Sequence, residues 1–220
     1  MSSFDASMNQ TAATQAGFAF PQSLAEVRPQ KLGTFIGLVK QQRILLNLAK
    51  NPTPRPILMI GPPGTGKTSL AYSFAAAISA EVHHVPSQEA TIENVKRVCA
   101  MCNYVPLSGG LHCVIFDEIN FCSQAVQRYL LSRMDGTEPL PATFIVYTGN
   151  SDDGLESPFL SRCLRLDDFT MYGCGKEIKA LLAAIWKEKA GEAPLPDMAK
   201  VPTSNVREAL MWLESELLAA

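Results

Sequence analysis

The stretch "ILMIGPPGTGKTSLAYSFAAAIS" (57–79) constrains the fold more than any other part of this chain. Residues 57–60 are a short apolar run that suits a buried strand, and an Ala-rich run with helical spacing follows "GPPGTGKT" (61–68). In the order strand, glycine-rich turn, helix, Gly61, Gly64 and Gly66 let successive backbone N–H groups turn inward around phosphate oxygens. The helix adds its positive N-terminal end. Lys67 then reaches the β- and γ-phosphates of a nucleotide and the Thr68 hydroxyl ligates Mg²⁺. Pro62, Pro63, Thr65 and Ser69 complete the expected binding loop.

The alternation continues on both sides of this unit. "VHHV" (82–85), "CVIF" (113–116), "TFIVYT" (143–148) and "LRL" (164–166) read as four more strands. "LVKQQRILLNLAK", "TIENVKRVCAMCNY" and "QAVQRYLLSRM" read as helices between them. Short apolar strands alternating with helices predict an α/β fold, an αβα sandwich on a five-stranded parallel sheet covered on both faces. Beyond residue 168 the strands stop. Ile178, Leu181, Leu182, Ile185 and Trp186 make one helical stripe, and Val206, Leu210, Leu213 and Leu217 make another. The expected organisation is a flexible tail at 1–24, a nucleotide-binding domain at 25–168 and a small helical lid at 169–220.

Composition narrows the class without naming a partner. Hydrophobic residues make up 47% and charged residues 18% of 220, with a net charge of −2, so no tail binds nucleic acid by bulk charge. The N-terminus lacks a basic segment followed by an apolar one, and no run reaches the roughly 18 apolar residues of a membrane span. Six cysteines without the spacing of a small secreted scaffold fit a reducing, cytoplasmic compartment with no membrane partner.

A second motif supplies the chemistry that the phosphate loop lacks. "VIFDEI" (114–119) ends a buried strand in two adjacent carboxylates, which apolar surroundings cannot neutralise. Asp117 is expected to hold Mg²⁺ with Thr68, and Glu118 to polarise the attacking water. "TGN" (148–150) ends the next strand at the same sheet edge, where Asn150 could orient that water. Arg162, in "SPFLSRCLRL" (157–166), follows a short Pro-bearing turn and has no evident local partner. Cys99, Cys102, His112 and Cys113 invite a zinc reading, but the apolar stripe of Ile92, Val95, Cys99 and Cys102 makes core packing the better explanation. His83 and His84 point to opposite faces of one strand and cannot share a metal.

With these motifs in hand, the chain resembles the AAA+ ATPases, and within them the clamp-loader group of replication factor C small subunits and the bacterial loader's ATPase subunit. The resemblance runs from "RPQKLGTFIG" (28–37) through "GPPGTGKT", "FDEI", "TGN" and "SPFLSRC" to "SNVREALMWLE" (204–214). It implies ATP and Mg²⁺ as cofactors, with adenine contacts from Arg28, Pro29, Ile36 and Gly37. Glu118, Asn150, Lys67 and Arg162 become the catalytic set. Arg162 is implied to be an arginine finger acting in trans on a neighbouring subunit, and Arg207 a sensor in cis from the lid. The partners implied are a homo- or hetero-oligomeric ring or partial ring, with DNA, a protein partner or both. Arg128 and Arg133 are candidate DNA contacts. The sequence departs from the family at Ser204-Asn205-Val206-Arg207, where Gly-Asp-x-Arg is usual. From these 220 residues, neither the family's collar domain after the lid nor the bacterial loader's zinc insertion is expected. The expected function is a Mg-ATP-dependent, clamp-loader-like ATPase in DNA replication or repair, or one that remodels a DNA-bound complex. The alternatives are a nucleotide-gated adaptor and a protein-remodelling ATPase for a non-DNA partner. "VPSQEATIENV" (85–95) lacks the aromatic and glycine of a threading pore loop, and the intact Glu118 speaks against a purely binding role.

Overall fold

The structure, a computed structural model, describes residues 31–106, 110–135 and 139–219. Five strands form one parallel sheet: β1 (Pro56–Ile60), β2 (Glu81–Pro86), β3 (His112–Asp117), β4 (Thr143–Gly149) and β5 (Leu164–Leu166), in the order β2-β3-β4-β1-β5. Among the described residues seven α-helices accompany them: α1 (Val39–Lys50), α2 (Lys67–Ala77), α3 (Ile92–Met101), α4 (Gln124–Met134), α5 (Ser157–Arg162), α6 (Gly175–Ala190) and α7 (Val206–Ala219).

The continuous apolar runs follow from burial on both faces. Every residue of β4 is buried, and in β3 all but Asp117 are. Alternate residues of a strand serve opposite cores. Ile57, Met59, Cys113, Ile115, Phe144 and Val146 pack with α1 and α2, whereas Leu58, Val114, Phe116, Ile145 and Tyr147 pack with α3, α4 and α5. The first core continues without a break into α6 and α7 through Ile178, Leu182, Trp186, Ala209 and Leu213.

Caps set the helix starts. Thr91 and Ser123 accept from Asn94 N and Val126 N at the heads of α3 and α4. Asn205 accepts from Glu208 N at 2.8 Å at the head of α7. The Glu208 carboxylate takes the Ser204 hydroxyl at 2.7 Å. The stretch "SPFLSR" corrects the sequence reading. It is the helix α5 rather than a turn, because Pro158 lies in the first helical turn, where a missing N–H leaves no bond unmade.

The parallel register places two sets of polar residues at opposite edges. At the C-terminal edge, Ile60 pairs with Gly149, and Asp117 ends β3 beside them. At the N-terminal edge, Glu81 pairs with His112, so Glu81, His83 and His112 share one face. Cys102, at the C-cap of α3, packs onto that face with Val85 and Val114. Burial pushes the Cys102 thiol up to about 12, and burial with the neighbouring His112 lowers the pKa of His83. Cys113 lies on the other face, in the α1 and α2 core. Among the described residues no helix is long and apolar enough to cross a membrane.

Candidate active site

The turn after β1 takes its shape from two left-handed glycines, Gly64 at φ +76° and Gly66 at φ +91°, the latter capping α2. Thr65 closes the loop on itself by donating to the Pro62 carbonyl at 2.9 Å. Lys67, 7% exposed, folds back under the loop and donates to the carbonyls of Gly61 and Pro62 at 2.7 Å each and to Asn150 Oδ1 at 3.2 Å. Burial lowers its pKa to about 8. The Asp117 carboxylate works against that shift, the Arg207 guanidinium adds to it, and Glu118 opposes it.

Asp117 is clasped by hydroxyls. Thr68 donates to its Oδ1 at 2.8 Å and Thr148 donates to the same oxygen, while His84 Nε2 stands 3.8 Å from Oδ2. Glu118 adopts a left-handed backbone at φ +56°, a conformation that costs a non-glycine residue about 1–2 kcal/mol. Its N–H reaches Thr148 Oγ1 at 3.3 Å, and a 3₁₀ turn at Ile119–Phe121 follows. Strain held by flanking structure marks functional sites. Asn150 is tied to this turn through its N–H, 3.4 Å from Asn120 Oδ1.

One cleft is lined by Pro63, Gly64, Gly66, Lys67, Thr68, Ser69, Asp117, Glu118, Thr148, Gly149, Asn150 and Arg207. Its hydroxyl and carboxylate oxygens are the hard donors that suit Mg²⁺, and its glycine turn and helix start suit phosphate. The family model described as "ATPase family associated with various cellular activities (AAA)" matches residues 57–171. The chain belongs to the AAA ATPases. It is a P-loop enzyme that hydrolyses ATP.

The AAA chain also has individual relatives. It is similar to the Replication-associated recombination protein A of Escherichia coli (strain K12), with 30% identity over 153 residues, 65% of this chain and 32% of that protein. It is similar to the Holliday junction branch migration complex subunit RuvB of Mycobacterium sp. (strain KMS), with 48% identity over 63 residues, 26% of this chain and 18% of the relative. The Sliding-clamp-loader large subunit of Escherichia phage RB69 is 31% identical over 118 residues, 53% of this chain and 36% of that subunit. The chain thus spans at most about a third of these curated relatives. Among solved structures, the Thermotoga maritima RuvB Holliday junction branch migration motor has the same fold, with a TM-score of 0.66 and 24% identity. That match covers 88% of this chain and 65% of the other.

The AAA cleft gathers most of the residues singled out in the sequence, but not all. Pro62 and Thr65 shape the loop from behind. Arg28 and Pro29 lie outside the described residues. Ile36 is half-buried against the core near the start of α1. Gly37, at φ +73°, is so close to Cys174 that a Cβ there would meet Sγ at 2.6 Å. Arg162 is not among the residues of the cleft. Its Nε pairs with Asp135 and its Nη1 donates to the Pro158 carbonyl at 2.8 Å, so it has the local partner that the sequence did not reveal. Arg128 pairs with Glu156 at 3.3 Å, and Arg133 lies 5.0 Å from the centre of the Tyr129 ring. Three residues of the site, Thr148, Gly149 and His84, escaped the sequence reading. Thr148 was visible as the first letter of "TGN", whereas His84 reaches Asp117 only through the parallel pairing of β2 with β3.

Proposed function

We propose that this chain binds Mg-ATP in the cleft and hydrolyses it as an oligomer, Arg162 of one copy acting on the γ-phosphate held by its neighbour. We place it nearest the clamp-loader group of AAA+ proteins, acting in DNA replication, recombination or repair. The observation that carries this reading is a division of the candidate catalytic groups: Lys67, Asp117, Glu118, Asn150 and Arg207 line one cleft, while Arg162 stands outside it at the end of α5.

Lys67 would leave the Gly61 and Pro62 carbonyls for phosphate oxygens. Thr68 and Asp117 would hold Mg²⁺, which when bound neutralises charge on those oxygens. Glu118 would draw a proton from the attacking water while Asn150 holds that water in line, and Arg207 would report nucleotide state through α7. Ile36 and Gly37, with Arg28 and Pro29, would border the adenine. Releasing Arg162 from Asp135 costs little, since a half-exposed ion pair contributes about 1 kcal/mol or less. A guanidinium on the transferred phosphoryl group accelerates such reactions by about 10³ to 10⁵. The names of the relatives, which concern replication, recombination and clamp loading, support DNA-linked work.

Mixing variants tests the assembly. Arg162→Ala and Glu118→Gln should each lose hydrolysis while binding ATP. An equimolar mixture should regain part of it, because a site with intact Glu118 then meets a neighbour with intact Arg162. Absence of any recovery, together with a monomer at all nucleotide concentrations, would sink the trans arrangement. Stimulation of the ATPase by DNA tests the process.

A further inference from the structure

The N-terminal edge of the sheet carries a cluster that the ATPase chemistry does not use. His83 Nε2, Cys102 Sγ and His112 offer ligand atoms that all lie within 4.8 Å of one another. His112 Nε2 is 2.8 Å from the Tyr104 carbonyl. A carbonyl only accepts, so Nε2 carries the proton and His112 Nδ1 presents its lone pair toward His83 Nε2, 3.0 Å away. Metal-bound histidines are held in this manner, with the remote N–H on a carbonyl and the other nitrogen aimed at the ion. Glu81 Oε1 stands 4.0 Å from His83 Nε2. The Cys102 and His112 residues are 0% and 3% exposed, and the His83 side chain is 9% exposed.

We propose that His83 Nε2, Cys102 Sγ and His112 Nδ1 bind a zinc ion, with the Glu81 carboxylate as fourth ligand, as a structural site closing the edge of the sheet remote from the nucleotide. Two imidazoles, a thiolate and a carboxylate form a tetrahedral donor set that suits Zn²⁺. Zinc bonds of about 2.0–2.3 Å set the donors about 3.3–3.7 Å apart, so the histidine nitrogens need to part by only a few tenths of an ångström. Binding replaces the hydrogen bond between the rings. The His83 proton moves from Nε2 to Nδ1, and the Cys102 thiol proton leaves to solvent, so one proton is released per ion. The ligands come from β2, β3 and the end of α3, and the ion would fasten that helix to the edge strand. The ligand set differs from the one the sequence invited: Cys99 stays in the core and Cys113 faces the opposite side.

His112 and Asp117 stand five positions apart along β3, about 17 Å, so the site and the cleft can be probed apart. The full chain, reduced and metal-free in a Mg²⁺ buffer, is titrated with Co²⁺ and then with Zn²⁺. One equivalent of Co²⁺ should give tetrahedral ligand-field bands with a thiolate-to-cobalt charge-transfer band, and Zn²⁺ should displace it. Cys102→Ser should abolish the charge-transfer band, and His112→Gln and Glu81→Gln should weaken binding, at least tenfold for His112→Gln. Cys99→Ala and Cys122→Ser should retain the band. With the unaltered chain, Zn²⁺ should raise Tm and a chelator should lower it again, a readout independent of how the variants fold. No band with the unaltered chain, a band surviving in Cys102→Ser, or a Tm indifferent to Zn²⁺ each overturns the proposal.

Discussion

At the C-terminal edge of the sheet, Lys67, Asp117 and Glu118 sit in an open cleft where loop carbonyls and hydroxyls hold charged groups ready for a ligand. At the N-terminal edge, His83 and His112 hold one another beside the buried Cys102 at the end of α3. The difference lies in where the polar groups find partners. In the cleft, partners come from a turn whose shape is fixed by Gly64 and Gly66, and the charged side chains remain free to exchange them. At the other edge the partners are buried, so a change there removes contacts that nothing replaces. Substitutions in the cleft should therefore damage activity more than stability, and substitutions at the other edge should do the reverse.

The largest effect that sharpens this contrast is on rate. Glu118→Gln should reduce phosphate release by about 10² to 10⁴ fold. It should leave the unfolding free energy within about 0.5 kcal/mol, as measured by denaturation. A loss of several kcal/mol in that variant would break the comparison.

Next comes Lys67, whose pKa is lowered to about 8 from 10.5. Between those values the unfolded chain binds the proton and the folded chain does not, so stability rises with pH across this window. The rise approaches roughly 3 kcal/mol, and below pH 8 the protein carries the whole cost of the buried charge. Nucleotide affinity should run the other way, falling above pH 8 as the ammonium is lost. Calorimetric titration in buffers of different ionisation heat should show proton uptake on ATP binding there. A flat profile for both quantities would remove Lys67 from the contrast.

At the buried edge, His112→Ala in the metal-free protein should cost about 1–3 kcal/mol, because the Tyr104 carbonyl and His83 Nε2 both lose a partner. Chemical denaturation measures it. A similar cost, about 1–2 kcal/mol, is expected for Gly64→Ala, where φ is +76° and the new Cβ would meet Asn205 Oδ1 at 2.6 Å. There, weaker ATP binding should accompany the loss, since the P-loop is pushed away from the start of α7. The smallest change is Asp135→Asn, which should cost less than about 1 kcal/mol and leave monomer stability almost untouched.

Legibility in the sequence follows the same divide. All five strands were readable, β1, β3 and β4 from continuous apolar runs and β2 and β5 from short segments flanked by Val or Leu, and the cleft was readable because its parts are contiguous motifs. α5 was not, since Pro158 resembles a turn signal until its place in the first helical turn is known. The Arg162–Asp135 pair joins residues 27 apart, and the His83–His112 bond joins residues 29 apart across two strands. Neither separation has a sequence periodicity. The sequence offered Cys99 and Cys102 as neighbours, but the helix turns only one of them toward the histidines.

The outermost strand β5 spans only Leu164–Leu166, and its central Arg165 is held by Asp152 at 3.1 Å and Asp167 at 3.3 Å. A strand edge this short, carrying a fixed charge, makes a poor template for the backbone of another chain. The sheet is thereby guarded on that side against growing by strand addition, so copies that came together there would have to do so through side chains.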